Sequence, residues 1–287
     1  MFVRKYQVKI LIGLFVISVV VWVFVFIDAK QGKFLKLDFF DVGQGDAIFI
    51  ETMDKKQVLI DGGPDLSILE KIGRKMPFYD RYIDLIVLSH PEADHLNGLI
   101  EVIKRYKIGA IITTGVIRNT DQYKEWVEII KQKDILVYIA KSKGEIDFGN
   151  NIKLKILYPF ENLAGKEIFE SNNTSIVAQL VYNNFETLFT GDIEKSAENK
   201  LIAISPAGEL KSDILKIAHH GSKTSSGEEF LKIVQPIIAI IPAGKENKYG
   251  HPHQEVLDRM ANILSFITGK SGDIEILSDG EKLKVKE

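Results

Sequence analysis

Four short apolar segments in this chain each run directly into an aspartate or a histidine. QVLI leads to Asp61, LIVLS to His90, ETLFTG to Asp192, and ILKIA to the pair His219 and His220. Apolar runs of this length, rich in Ile, Leu and Val, are typical of buried strands. Because mixed α/β sheets form their binding sites where strands end and loops converge, the pattern predicts that these side chains meet at one edge of a sheet.

The six histidines of the chain support a metal site at that edge. All of them fall in three short clusters, HPEADH (90–95), AHHGS (218–222) and GHPH (250–253). A helix start would explain Pro91 and the acids of the first cluster, but not its histidines. Imidazole and carboxylate suit zinc, manganese or iron, and the absence of cysteine excludes thiolate ligands and disulfides. Several acidic ligands would bring two divalent cations together, bridged by Asp192, with a metal-bound hydroxide as the nucleophile.

The rest of the pattern predicts one mixed α/β domain over residues 34–287. Short β-branched runs alternate with amphipathic segments, of which 96–106 and 254–265 are predicted helices, and an antiparallel group of strands turns at Asn183-Asn184. No Pro-rich linker or low-complexity segment divides this region. The formal net charge of −2 gives no overall electrostatic basis for binding nucleic acid, so such binding would have to be local.

The N-terminal region predicts a membrane anchor, because residues 10–27 form an apolar run without a charge. As a helix the run would span roughly 27 Å, about the thickness of a bilayer core. A cleaved signal peptide is the alternative, but IDAKQ lacks the small residues of a cleavage site. Three Lys or Arg residues flank the apolar run on each side, so this count does not decide the orientation. We expect the domain on the extracytoplasmic side. We expect a single-pass protein of the cell membrane, with a basic segment at 1–9, a signal anchor at 10–27, a linker at 28–33 and the domain from 34.

Six motifs follow the apolar run in succession: FFDVGQGDAIFI, SHPEADHLNGL, NNTSIV, TGD, HHGSKTS and GHPH. Together with LIDGG, they resemble the metallo-β-lactamase-like domain of the ComEC family of DNA-uptake proteins. The resemblance covers residues 34–287. It implies an α/β (α+β) fold, the αββα sandwich of the metallo-β-lactamase type, with the site at one sandwich edge. It also implies hydrolysis by metal-activated water, with two divalent ions, zinc or manganese.

The resemblance assigns metal ligands by position. Of the two adjacent histidines in HHGS, His219 is preferred because it is nearer to the strand end. Asp94 would also orient or deprotonate the attacking water. The ligands implied are His90 for one metal, Asp94 and His95 for the second, Asp192 for both, and His219 or His220 as the last.

Two positions depart from the family pattern. Glu92 stands where the second motif histidine is usual, and the polar stretch Asn172, Asn173 and Thr174 replaces the histidine that precedes the TGD strand. With Glu92 as a ligand, the first metal site would lose imidazoles and gain oxygen, which favours a harder ion such as manganese.

Further polar residues are predicted to hold the ligands or to contact substrate. DVGQGD could equally be a hairpin turn that needs glycine, and the HHGS segment could be a helix cap. His251 and His253 bracket a proline and are expected to serve the substrate as a general acid or phosphate contact, although a capping turn is the alternative. The residues expected to support ligands or bind substrate are Asp61, Asp41, Gln44, Asp46, Asn173, Ser222 and Lys223.

These inferences converge on a membrane-anchored, metal-dependent hydrolase. We expect a nuclease or phosphodiesterase linked to DNA uptake or processing, with DNA or another phosphodiester as its substrate. Two alternatives stay open: a metallohydrolase of another ester or lactone, and an inactive anchored module that binds nucleic acid. The complete ligand set argues against the inactive module. Nothing in the sequence indicates a protein partner.

Overall fold

The computed structural model describes residues 2–31 and 34–287. Within the first range, helix α1 (Phe2–Gln31) contains the apolar segment Tyr6–Val23, none of which is buried. Among the described residues, α1 alone is long and apolar enough to cross a membrane. The helix therefore fits the predicted transmembrane segment.

The predicted linker at 28–33 falls partly within this helix. Helix α1 continues through residues 28–31, whereas residues 32 and 33 lie outside the described part of the chain. The domain boundary at residue 34 stays a prediction.

The larger sheet contains eight strands, and two of its parallel strands lead into Asp61 and His90. It consists of β1 (Leu35–Phe39), β2 (Ile48–Glu51), β3 (Gln57–Ile60), β4 (Tyr82–Leu88), β5 (Lys107–Thr113), β6 (Leu136–Ile139), β14 (Ile274–Ser278) and β15 (Leu283–Lys286). The spatial order is β15-β14-β1-β2-β3-β4-β5-β6. Strands β3 to β6 are parallel, while β1 is antiparallel to both β2 and β14, and β2 is antiparallel to β3.

The smaller sheet contains seven strands. They are β7 (Gly144–Gly149), β8 (Ile152–Tyr158), β9 (Val177–Tyr182), β10 (Phe185–Phe189), β11 (Ile214–Lys216), β12 (Ile238–Ile241) and β13 (Leu264–Ile267), in the order β13-β12-β11-β10-β9-β8-β7. Strands β7 to β10 are antiparallel neighbours, and β10 to β13 run parallel.

Helices cover the outer faces of the two sheets. One apolar core lies between the sheets, where side chains such as Leu37, Ile50 and Ile214 are buried. A second core packs α2 (Ser67–Lys75), α3 (Ala93–Arg105) and α4 (Asp121–Gln132) on the larger sheet, and a third packs the helices of the C-terminal half on the smaller sheet. The C-terminal helices are α5 (Lys195–Ile204), α6 (Glu228–Val234), α7 (Gln254–Arg259) and α8 (Thr268–Ser271). The predicted αββα sandwich is confirmed.

Two predicted elements differ from the structure. The helix expected at 254–265 ends at Arg259, and Leu264–Ile267 forms β13 instead, because it completes the parallel edge of the smaller sheet beside β12. The helix expected at 96–106 begins earlier, at Ala93. This earlier start places Asp94 and His95 of HPEADH within its first turn.

The predicted convergence of strand ends occurs, but it involves both sheets. Strands β3 and β4 of the larger sheet lead to Asp61 and His90, whereas β10 and β11 of the smaller sheet lead to Asp192 and the HHGS segment. The expectation of a single sheet edge is therefore wrong. The side chains meet where the two sheets of the sandwich face each other at one end.

Candidate metal centre

Four side chains form a compact cluster of ligand atoms at this end of the sandwich: Asp94, His95, Asp192 and His220, whose ligand atoms all lie within 4.8 Å of one another. His220 Nε2 lies 3.2 Å from both Asp94 Oδ2 and Asp192 Oδ2. His95 Nε2 lies 3.3 Å from Asp192 Oδ2. The two imidazoles and two carboxylates therefore point at one common volume.

Local backbone geometry places each member of the cluster. Asp94 and His95 occupy the first turn of α3, which begins after the extended residue Glu92. Asp192 follows Gly191, whose φ of +49° lies in the left-handed region, and the Asp192 amide donates to Ser175 Oγ at 3.0 Å. A side chain at Gly191 would come within 2.7 Å of Ser175, so glycine permits this tight turn.

The structure brings His220 rather than His219 into the cluster. Both residues have left-handed backbones, with φ of 50° and 53°, which costs on the order of 1–3 kcal/mol each for residues other than glycine. This turn directs the His220 ring inward, while His219 Nδ1 lies 3.6 Å from Glu194 Oε1 and its side chain is partly exposed. The preference for His219, based on distance from the strand end, is corrected because the chain reverses after β11.

The hydrogen bonds of the imidazoles assign their tautomers. His95 Nδ1 donates to Asp61 Oδ2 at 2.8 Å, and His220 Nδ1 donates to the Pro242 carbonyl at 2.8 Å. Since Nδ1 of each ring is used as a donor, Nε2 is the atom that each ring directs at the cluster and that a metal ion would bind. Asp61, which was predicted to hold the ligand loop, thus accepts a hydrogen bond from His95.

His90 is oriented by the same carboxylate through a serine. Ser89 Oγ donates to Asp61 Oδ2 at 2.6 Å, so it accepts from His90 Nδ1 at 3.0 Å. The His90 and His95 ring centroids are 4.3 Å apart, and the buried Nε2 atom of each ring lacks a hydrogen-bond partner among the described residues. Burial, reinforced by the nearby His95, lowers the pKa of His90 to about 3, so its Nε2 lone pair stays free.

These observations fit a divalent metal ion. Burial opposes a charge on the His95 and His220 rings, but the surrounding carboxylates, Asp192 foremost, outweigh it and raise the pKa of both rings well above its ordinary value. The carboxylates thus require positive charge between them. Oriented imidazole Nε2 atoms next to carboxylate oxygens form a donor set that suits zinc or manganese.

A buried lysine, Lys216, lies beneath the cluster and was missed by the sequence analysis. Its ammonium contacts Asp46 Oδ2, donates to the Gly191 carbonyl at 2.6 Å, and lies 3.3 Å from Asp192 Oδ1. Asp46 Oδ1 in turn lies 3.4 Å from His220 Nδ1. Asp46, which was predicted to support the ligands, thus contacts both Lys216 and His220. The signal for Lys216 was a lysine within the otherwise apolar run ILKIA.

Glu92 does not join the cluster. Its carboxylate pairs with Arg118, with an Nη2–Oε1 distance of 2.9 Å, and accepts from the Ser171 hydroxyl. These partners already neutralise and satisfy the carboxylate, so it turns away from the metal position. The prediction of Glu92 as a ligand is corrected, and with it the argument that this residue makes the first site richer in oxygen.

Asn173 was expected to support the ligands or to bind substrate, and its side chain contacts Glu194, two residues after Asp192. Its Oδ1 accepts from the Glu194 amide at 2.9 Å, and Nδ2 lies 3.4 Å from Glu194 Oε2. Asn173 therefore fastens the loop that follows Asp192. It holds a ligand loop but does not face the cluster.

His251 and His253 lie beside the cluster, as the sequence predicted. The His251 ring centroid is 6.3 Å from that of His220 and 4.9 Å from that of His253. Gln44 Oε1 accepts from the Gly244 amide at 3.4 Å, which orients its Nε2 toward His251 Nδ1, also at 3.4 Å. His251 Nε2 then carries the proton.

The electrostatic surroundings limit what His251 can do. Burial and the nearby His220 and His219 rings lower the pKa of His251 to about 4. The ring is therefore neutral at pH 7 and can donate a hydrogen bond through Nε2. The sequence left two roles open for His251, and its neutral ring favours a contact with phosphate over general-acid catalysis.

Three remaining predicted residues take structural positions near the site. Asp41 Oδ1 accepts from the Gly43 amide at 3.2 Å and so stabilises the turn, in line with the hairpin alternative. Ser222 Oγ lies 3.0 Å from Thr224 Oγ1. The Lys223 amide donates to His253 Nδ1 at 3.1 Å, and the exposed Lys223 side chain lines an open cavity of about 420 Å³ together with Lys195 and Arg259.

Comparison with known proteins agrees with this geometry. The family profile described as "Metallo-beta-lactamase superfamily" matches residues 40–245. This chain belongs to the metallo-beta-lactamase superfamily. Residues Asp61, His90, Asp192 and the HHGS histidines all lie within the matched region of the superfamily profile.

Curated proteins similar to this chain include competence proteins. The chain is 29% identical over 259 residues to ComE operon protein 3 of Bacillus subtilis (strain 168), covering 84% of this chain and 32% of that protein. It is 27% identical over 221 residues to Competence protein ComA of Neisseria gonorrhoeae, covering 77% and 28%. The chain thus spans about a third of the length of these relatives. The predicted resemblance to ComEC-like proteins is confirmed.

Solved structures share the fold. YhfI from Bacillus subtilis, a metallo-beta-lactamase fold protein, superposes with a TM-score of 0.53 at 11% identity, covering 85% of this chain and all of that one. Igni18, a metallo hydrolase from Ignicoccus hospitalis KIN4/I, gives a TM-score of 0.52 at 14% identity, covering 88% and 99%. The chain therefore has the metallo-beta-lactamase fold, is related to competence proteins, and carries a His/Asp cluster suited to a divalent metal ion.

Proposed function

We propose that this chain is a membrane-anchored, metal-dependent phosphodiesterase that cleaves nucleic acid. The observation that carries the proposal is the largely buried cluster of Asp94, His95, Asp192 and His220, whose imidazoles direct their Nε2 atoms at carboxylate oxygens. A divalent ion would supply the positive charge that these carboxylates attract.

The four cluster residues would hold one divalent ion, and His90 together with Asp192 would hold a second. The orphaned His90 Nε2, close to the His95 ring, supports the second position. Bound zinc or manganese would activate water as a nucleophile and offset the charge of a phosphodiester. Asp94, with about a third of its side chain exposed, reaches the solvent side of the cluster, where it can orient that water.

The surroundings of the cluster support a phosphate ester as substrate. His251 can donate through Nε2, and the His253 ring lies beside it, so imidazoles line one side of the site. Hydrogen-bond donors of this kind suit the non-bridging oxygens of a phosphodiester. The relationship to competence proteins supports DNA as the physiological substrate.

The apolar helix α1 supports anchoring of this activity in the cell membrane, with the domain on the extracytoplasmic side. Full-length protein expressed in bacteria should stay with the membrane pellet after washes with high salt and alkaline carbonate. Recovery of a soluble mature form that begins near residues 28–33 would instead show that the segment is a cleaved signal peptide.

The activity is tested with full-length protein in detergent micelles. Metal content is measured after purification, and cleavage of single- and double-stranded DNA is followed with manganese, zinc and magnesium. The proposal predicts cleavage that EDTA abolishes and that manganese or zinc restores. Hydrolysis of carboxylic esters or lactones without any DNA cleavage would show that the substrate belongs to another class. Binding of DNA without cleavage in the presence of any of these metals would contradict an enzymatic function.

A further inference from the structure

The sandwich has two ends, and the metal centre occupies only one of them. Strand β1 is antiparallel to β2, β2 is antiparallel to β3, and β3 is parallel to β4, so β1, β3 and β4 share one direction. The metal-centre residues follow the ends of β3 and β4. The start of β1, to which the N-terminal segment connects, therefore lies at the opposite end of the sandwich.

The connection between α1 and this end is short. Three residues lie between Gln31 at the end of α1 and Leu35 at the start of β1, so the two are joined by four chain steps, which span at most about 14 Å. If α1 spans a bilayer, the end of the sandwich that carries Leu35 is held near the membrane surface. The metal centre then lies at the far end, since β4 alone extends about 20 Å from Tyr82 to Leu88.

A pair of exposed aromatic side chains projects from the same end. Residues 77–80 form a tight turn, closed by a hydrogen bond from the Asp80 amide to the Pro77 carbonyl at 2.9 Å, which places Phe78 and Tyr79 at its tip. These side chains are 86% and 75% exposed, and their rings pack edge to face with centroids 5.3 Å apart. The turn is held firmly, because Asp80 Oδ2 accepts from the buried Gln57 amide group at 2.9 Å.

The register of the sheet locates this turn relative to the anchor. Lys36 pairs with Glu51, Glu51 with Gln57, and the next residue of β3, Val58, pairs with Leu85. Three strand spacings, about 14 Å, thus separate β1 from β4. Since β4 begins three residues before Leu85, the turn that precedes it extends beyond the level of Leu35.

We infer that the aromatic turn at residues 77–80 inserts Phe78 and Tyr79 into the headgroup region of the bilayer that α1 spans, so that the domain stands with its metal centre facing away from the membrane. The inference rests on the proposed membrane anchoring. The short connection to α1 keeps this end of the domain beside the bilayer. Aromatic side chains are enriched at membrane interfaces, and Phe78 and Tyr79 are exposed there on a firmly held turn. The occupant is a lipid surface, supplied by the anchor itself.

Single cysteine variants test the inference directly, because the natural chain contains no cysteine. Nitroxide labels are placed at Val16→Cys in α1, at Phe78→Cys, and at Phe169→Cys. Phe169 is a matched control, since it is 92% exposed and its carbonyl accepts from Arg118, the partner of Glu92 at the metal-centre end. Full-length protein is reconstituted in vesicles of phosphatidylethanolamine and phosphatidylglycerol, and label accessibility to oxygen and to a water-soluble nickel chelate is measured by electron paramagnetic resonance.

The expected result is a preference for oxygen over nickel at residues 16 and 78, and the reverse at residue 169. A membrane signal at residue 16 with full nickel access at residue 78 would overturn the inference and leave the anchor intact. Protection of residue 78 from both relaxants would place it against protein, which also contradicts the inference. Nickel access at residue 16 would overturn the anchor and the inference together, while the metal-dependent activity is judged separately by the cleavage assay.

Discussion

Lys216 Nζ lies 3.3 Å from Asp192 Oδ1, on the buried side of the metal centre. The opposite oxygen of Asp192 faces the imidazoles of the cluster, 3.2 Å from His220 Nε2. One carboxylate is therefore shared between a fixed ammonium and the position of a metal ion. Lys216 holds Asp192 in the orientation that directs Oδ2 toward the cluster, and its charge offsets part of the buried negative charge.

Removal of the Lys216 charge should make folding more dependent on metal. In Lys216→Met, the carboxylates of Asp46 and Asp192 lose their buried partner, which typically costs about 3–5 kcal/mol. A divalent ion would restore part of that charge balance. Thermal unfolding of the full-length protein in detergent should show a lower Tm in EDTA than wild type and a larger gain on addition of manganese. Equal gains in both proteins would show that Lys216 is electrostatically uncoupled from the metal centre.

Replacement of Glu92 should leave metal binding intact. The Glu92 carboxylate pairs with Arg118 and Ser171 rather than with the cluster, so Glu92→Gln removes no ligand. We expect the metal content of Glu92→Gln, measured by mass spectrometry of the purified protein, to match that of wild type. Asp192→Asn is the comparison variant, and its metal content should be lower than that of wild type. Loss of metal in Glu92→Gln to the same extent would return Glu92 to the ligand set.

Asp38 should give the fold a measurable pH dependence remote from the metal. Burial, opposed by Lys75, raises the pKa of the Asp38 carboxyl from 3.8 to about 6. Because the folded pKa is above the unfolded one, the stabilising contribution is complete below about pH 4 and is lost as pH rises through 6. A shift of this size corresponds to up to about 3 kcal/mol.

Asp38→Asn carries no charge at any of these pH values. The decrease in the free energy of unfolding between pH 4 and pH 7, measured by urea denaturation, should therefore be smaller in the variant than in wild type. The same decrease in both proteins would contradict the role of Asp38 burial.

Much of the site could be predicted because local sequence encoded it. Each of Asp61, His90 and Asp192 follows an apolar strand, and strand ends converge whichever sheet the strand belongs to. The choice between His219 and His220 could not be made, since it depends on two successive left-handed residues. Lys216 was hidden for a different reason: its buried position follows from Asp46, a residue 170 positions away in the chain.

The fold was predicted less completely where the pairing of strands, or of charged side chains, decides the structure. The segment 254–265 has the composition of a helix, but its last residues form β13 because β12 offers a parallel edge to them. Glu92 is a comparable case at the level of one side chain. Its position in the motif indicated a metal ligand, whereas Arg118, from a distant loop, takes its carboxylate.

The central claim is that the cluster is a metal centre that cleaves phosphodiesters, and paired variants test it most directly. Full-length wild type, Asp94→Asn and His251→Ala are compared for bound metal and for single-turnover DNA cleavage with manganese. We predict that Asp94→Asn loses metal and at least about two orders of magnitude in rate, because it removes a ligand charge and the group that orients water. His251→Ala should keep its metal and lose rate alone. Equal cleavage by all three proteins, or no cleavage by metal-loaded wild type, would contradict the claim.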